Sequence, residues 1–104
     1  MTVNISEKDC RLTFHLSGEI DHHAARGLMH SIETGIDDAM PRECVLDMAG
    51  VTFMDSSGIA VILKAFRRMG ELDGTLVVDG VQPQAMKVLD AAGIERLVKI
   101  TACT

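Results

Sequence analysis

The apolar residues of this chain change their period several times along its length, and that alternation limits the folds open to it more than any other feature. Val3 and Ile5, then Leu12, Phe14 and Leu16, recur at every second position, the period of a strand with one buried face. Lys8-Asp9-Cys10 between the two runs reads as a short hairpin turn. From His22 to about Asp38 the spacing becomes helical, through Ala25, Leu28, Met29, Ile32 and Ile36, with Asp21 placed to cap the start. After the break at Pro41-Arg42-Glu43, Cys44-Val45-Leu46 reads as a short strand closing in a turn at Asp47-Met48-Ala49-Gly50.

A second helix is predicted from Ser57 to about Met69, with Ile59, Ile62, Leu63, Phe66 and Met69 on one side and Gly70 as its stop. Thr75-Leu76-Val77-Val78 has the composition of a strand buried on both faces. Pro83 opens a third helix through Met86, Leu89 and Ala92, which Gly93 ends, and Leu97 to Ile100 gives a last strand. This order predicts an α/β fold. Its mixed β-sheet has an N-terminal antiparallel hairpin, then β-α-β-α-β with right-handed crossovers and helices packed on the sheet.

At 104 residues the chain is expected to be one domain, residues 1–104, burying about 65% of the surface that the unfolded chain exposes. Its 47% hydrophobic and 24% charged residues fit a folded protein. A formal charge of -5 and three aromatics, Phe14, Phe53 and Phe66, argue against nucleic acid, which needs a basic surface and stacking platforms. The apolar runs are far shorter than the roughly 20 residues of a membrane span, and the start MTVNISEKD lacks the order of a signal peptide. A cytoplasmic protein without a membrane partner is expected. Cys10, Cys44 and Cys103 are odd in number and never paired as CxxC, so neither a disulfide framework nor a zinc site is indicated.

The stretch VTFMDSSGIAVIL, residues 51–63, sets an acid and two hydroxyls against this apolar background. Residues that open a helix meet unpaired backbone N–H groups and positive partial charge. One serine there ordinarily caps. With two, Ser57 suits the cap and Ser56 suits modification, since the free amides would accept a phosphoryl group. Gly58 would permit close backbone approach. Residue chemistry leaves capping and modification equally open. The turn reads FMDSSG rather than GxSxG, and GxxxxGK[ST] is absent, so neither a serine hydrolase elbow nor a nucleotide-hydrolysing P-loop is indicated. In GEIDHHAAR, residues 18–26, Asp21 caps and His22 and His23 point about 100° apart on a helix, a poor start for a metal site. No cofactor or metal is expected. Asp47 is read as bonding nearby turn amides.

GEIDHHAAR, VLDMAGVTFMDSSGIAVIL and PQAMKVLDAAGIERLV, in this order and spacing, resemble the STAS domain of bacterial anti-sigma factor antagonists, or anti-anti-sigma factors, most closely the sporulation AA type. The resemblance covers nearly the whole chain and implies the STAS fold. It implies a non-enzymatic regulator that binds an anti-sigma factor, itself a serine kinase supplying ATP and magnesium, and so frees a sigma factor. Ser56 is then the phosphoacceptor, reset by a serine phosphatase, and Asp21, His22, His23, Asp55, Ser56, Ser57 and Gly58 form the partner-binding surface. The alternative is a STAS adaptor module in a larger signalling or lipid-handling assembly, without serine phosphorylation. The chain departs from the family at Ile59-Ala60, where Leu-Gly is common. The family's pattern also continues into another C-terminal helix, which implies either a less protected sheet face or a short variant.

Overall fold

A computed structural model describes residues 1–103. Its elements are β1 (Thr2–Lys8), β2 (Arg11–Ile20), α1 (His22–Ala39), β3 (Glu43–Met54), α2 (Ser57–Glu71), β4 (Thr75–Val81), α3 (Pro83–Ala92), a 3-10 turn at Ile94–Arg96, and β5 (Lys99–Ala102). The five strands form one sheet in the order β1-β2-β3-β4-β5. β1 lies antiparallel to β2 and every later pair is parallel. The expected mixed sheet is therefore present.

The core lies on one face of this sheet. Leu12, Phe14 and Leu16 of β2, Cys44, Leu46 and Met48 of β3, and Leu76 and Val78 of β4 are all buried. In register they form rows, with Phe14 beside Leu46 and Leu46 beside Val78. Ala25, Leu28, Ile32 and Ile36 of α1, Val61, Ile62, Ala65 and Met69 of α2, and Ala85 and Leu89 of α3 complete the same cluster. Across the helix pair, Arg68 meets Asp37 at 2.7 Å and Lys64 meets Glu33 at 3.4 Å.

The opposite face is polar. Arg11 pairs with Glu43 at 2.6 Å, and Thr101 donates to Asp79. His15 Nδ1 lies 2.9 Å from Asp47 Oδ2 while its Nε2 lies 3.0 Å from Ser6 Oγ. A carboxylate only accepts, so the proton on Nδ1 faces Asp47, while Nε2 is hydrogen-bonded with the Ser6 hydroxyl. On this solvated face the relay ties edge strand β1 through β2 to β3. Val77, expected to be buried on both sides, is half-exposed here beside Val45, because the helices cover only the other face.

Several boundaries differ from the periodicity reading. Asp9 and Cys10 form the hairpin turn at positive φ, 53° and 65°, the signature of a two-residue turn matched to strand twist, and Lys8 belongs to β1. Ile5 is 52% exposed, since β1 is an edge strand. The chain does not turn at Asp47–Gly50. β3 runs on to Met54 through two register shifts against β2. Gly50 is needed there because a Cβ would lie 2.9 Å from Leu16 O and 2.7 Å from Ser17 Cβ, so it marks a bulge. Helix α2 passes Gly70 and ends at Glu71, with Leu72 as its C-cap, Asp73 at φ 57° and Gly74 N donating to Met69 O at 2.8 Å. Its buried stripe is Gly58, Val61, Ile62, Ala65 and Met69, whereas Ile59, Leu63 and Phe66 flank it half-buried. The last strand starts at Lys99, not Leu97, because the 3-10 turn intervenes and leaves Leu97 53% exposed.

Candidate functional site

Parallel strands β2 and β3 end side by side, with Ile20 opposite Met54. Each strand passes directly into a helix, so Asp21 and Asp55 stand at neighbouring strand ends, and Asp55 N donates to Ile20 O at 3.1 Å. The carboxyl ends of parallel strands thus gather two acids and two helix starts on one edge of the molecule.

Asp21 caps α1, its Oδ1 accepting from Ala24 N at 2.8 Å. That N–H holds the Asp21 carboxyl below the usual carboxylate range, with the nearby His23 adding to the effect. His22 and His23 follow, both exposed, their rings 5.9 Å apart in an edge-to-face arrangement. Although helical geometry points them apart, both reach the mouth of one groove. No cluster of three metal-ligating side chains occurs among the described residues.

The second turn assigns its cap differently from the expectation. Asp55 Oδ1 accepts from Ser57 N at 2.8 Å, so the acid two residues back does what Ser57 was expected to do. A carboxylate there bonds the amide and opposes the positive end of the helix dipole. Ser56 already has helical backbone angles, φ -62° and ψ -17°, and makes no side-chain cap bond. Ser56 is exposed, while Ser57 is half-buried. Gly58 is buried, and the close approach it allows is inward. A Cβ would overlap Met54 Cγ and Sδ outright and reach Ile20 Cγ2 at 3.4 Å.

Two residues that periodicity did not single out hold this turn in place. Pairing between β3 and β4 ends at Asp47 and Asp79, leaving the edge of β3 free from there onward. Gln82 Nε2 donates to Ala49 O at 2.6 Å. Gln84 brackets Met54, accepting from its N–H at 2.8 Å and donating to its carbonyl at 2.9 Å. The side-chain amides thereby replace a missing strand. The only trace in the sequence is Gln-Pro-Gln at residues 82–84, which has no meaning until β4 is known to stop short.

Ser56 and Ser57 sit on a ridge between two grooves. One, of about 760 Å³ between α1 and α2, is lined by His22, His23, Arg26, His30, Ser57 and Lys64, among others. The other, of about 500 Å³ between α2 and α3, is lined by Ser56, Ile59, Gln84, Lys87, Val88 and the Ala91-Ala92 pair. Phe53, two residues before Asp55, is 40% exposed.

This sheet order, with a serine turn at the parallel strand ends, defines the class: the chain belongs to the STAS domain family, whose model matches residues 2–102. Within that family it is 32% identical over 89 residues to the anti-sigma F factor antagonist of Paenibacillus polymyxa, covering 86% of this chain and 76% of that protein. It is 24% identical over 106 residues to the anti-sigma-B factor antagonist of Bacillus subtilis, covering 98% and 92%. In three dimensions it matches the anti-sigma factor antagonist SpoIIAA in its unphosphorylated form with a TM-score of 0.83 at 22% identity, over 97% of this chain and 89% of the other. The phosphorylated form of Bacillus SpoIIAA matches with a TM-score of 0.74 at 22% identity, over 97% and 92%. No helix among the described residues is long and apolar enough to cross a membrane.

Proposed function

We propose that this chain is an anti-sigma factor antagonist, a non-enzymatic single-domain partner switch acting in the cytoplasm. Unmodified, it binds an anti-sigma factor that is also a serine kinase, and so releases a sigma factor. The kinase, bringing ATP and magnesium, then moves the γ-phosphoryl group onto Ser56 Oγ, with ADP and the hydroxyl proton leaving, and the complex separates. A serine phosphatase resets the switch. The observation that carries this reading is Ser56 itself: exposed, at the head of α2, and with a hydroxyl relieved of capping by Asp55.

Asp21 and Asp55 each commit Oδ1 to a backbone N–H, which leaves Oδ2 to meet a basic partner group. His22, His23 and Ser57 border the same surface, and Gly58 supports it from below. Adding about -1.5 to -2 charges at Ser56, roughly 5 Å from a partner carboxylate, costs several kcal/mol at an effective dielectric near 20 before screening. Each 1.4 kcal/mol or so is tenfold in affinity, so this suffices for release. The added phosphate does not threaten the fold, because helix N-termini favour anions.

The test is to incubate the purified chain with its cognate kinase and ATP and to locate phosphate by mass spectrometry. Ser56→Ala is expected to bind without accepting phosphate, and Ser56→Asp to bind weakly. Equal binding by wild type, Ser56→Ala and phosphoprotein refutes the switch. Stable copurification in an assembly without phosphate transfer favours the adaptor reading instead.

A further inference from the structure

The α2/α3 groove begins at Ser56, and the cation among its lining residues is Lys87. Lys87 is exposed and makes no ion pair among the described residues. Its direction follows from Gln84, whose two hydrogen bonds to Met54 press that face of α3 against the chain just before Ser56. Lys87 lies three residues further on, on the same face of the helix. Side chains of a helix lean towards its N-terminus, so Lys87 leans back towards the serine turn. Its flexible four-carbon stem carries a compact charge that can reorient at little cost. The rest of the groove wall, Ile59, Val88 and Ala91, is apolar, so an ion pair formed there is less screened than one in open water.

We propose that Lys87 is the counter-ion of a phosphoryl group on Ser56. The ammonium turns onto the phosphate oxygens and lays its aliphatic stem across the groove. A groove open in the unmodified protein is thus closed by the protein's own side chain once Ser56 is modified. This rests on the phosphorylation reading above and adds a second effect to it: beyond repelling the partner, the phosphate draws Lys87 across the α2/α3 groove and changes the surface beside Ser56. Asp55 beside the serine, Asp21 at the neighbouring strand end, and Asp90, one turn further along α3, are anionic groups that oppose the pairing, and they remain the same in every variant compared below.

The test needs no kinase. Phosphoserine is placed at position 56 of the full chain by genetic encoding, and its second ionisation, near pH 6 or so in free phosphoserine, is followed by ³¹P NMR. The midpoint is expected to be lowest in the wild type, to stay there in Lys87→Arg, and to rise in Lys87→Gln, because an adjacent cation favours the dianion. The Ile59 and Val88 methyl resonances, which line the groove with Ser56, are expected to move further on phosphorylation in the wild type and Lys87→Arg than in Lys87→Gln, the excess reporting the stem laid over them. Identical midpoints for wild type and Lys87→Gln overturn the proposal, whether or not any kinase modifies Ser56. Failure of the kinase assay with a Lys87-dependent midpoint instead removes the phosphorylation reading and leaves the pairing intact.

Discussion

Three helical glycines sit in opposite surroundings, and replacing each by alanine separates helix propensity from packing. At Gly27 of α1 and Gly70 of α2 a new Cβ meets nothing within 4 Å. Alanine there is expected to stabilise by about 0.5–1 kcal/mol through propensity alone, the smaller value at Gly70 near the helix end. For a domain of this size that raises Tm by roughly 3–6 °C. At Gly58 the same Cβ overlaps Met54 Cγ and Sδ, and Met54 is 0% exposed, so its side chain has nowhere to go. Overpacking of this kind costs about 1–3 kcal/mol, against a propensity gain below about 1 kcal/mol. Gly58→Ala should therefore lose around 1–2 kcal/mol, lowering Tm by roughly 5–10 °C. Since the chain has no Trp and no Tyr, unfolding is best followed by far-UV circular dichroism. In the double variant Gly58→Ala/Met54→Ala the loss should be smaller than the sum of the singles by about 1 kcal/mol, because the clash is gone. An unchanged or raised Tm for Gly58→Ala would falsify the inward-packing role of Gly58.

Gln84→Ala removes both hydrogen bonds to Met54 and should cost about 1–3 kcal/mol. It should also speed hydrogen exchange at the Met54 amide, and unchanged protection there counts against the bracket. The depressed Asp21 pKa contributes stability that is fully present above the ordinary value of 3.8 and is lost as pH falls through the lower folded value. Asp21→Asn should therefore flatten the fall of Tm with pH in that acid range, and a slope identical to wild type contradicts the capping role. Burial, followed by the charge of Glu43, pushes the Cys44 thiol up to about 12. A thiol reagent near pH 8 or so should thus label exposed Cys10 and Cys103 quickly and Cys44 only after denaturation. Rapid labelling of all three thiols in the native protein speaks against a buried Cys44.

How much was legible depended on whether the signal was local. Asp21 and the apolar series from Ala25 to Ile36 are read within a turn or two of one helix, and α1 lies where that series placed it. Pro83 and Gly93 bound α3 for the same reason, since each acts through its own backbone angles. Gly50 misled, because glycine marks both turns and bulges, and the choice rested on Ser17 and Leu16 of a strand more than thirty residues earlier. Gly70 misled likewise: an exposed helical glycine tolerates continuation, and α2 stopped where Asp73 could turn and Gly74 could pass close to Arg42 O.

At the serine turn the division is finer. An acid and two hydroxyls ahead of a helical apolar run already imply that one group caps and another stays free, because a helix start has amides to satisfy whatever it packs against. Which group caps follows from the course of β3, which delivers Asp55 beside Ile20 and within reach of the Ser57 amide. That course depends on parallel pairing with β2, on Met54 packing under Gly58, and on two glutamines from beyond β4. Propensity and period act over a few residues of chain, so they are written in the sequence order. Contacts between residues thirty positions apart come into being only when the sheet closes, and they set which group caps the turn and which serine is left without a cap bond.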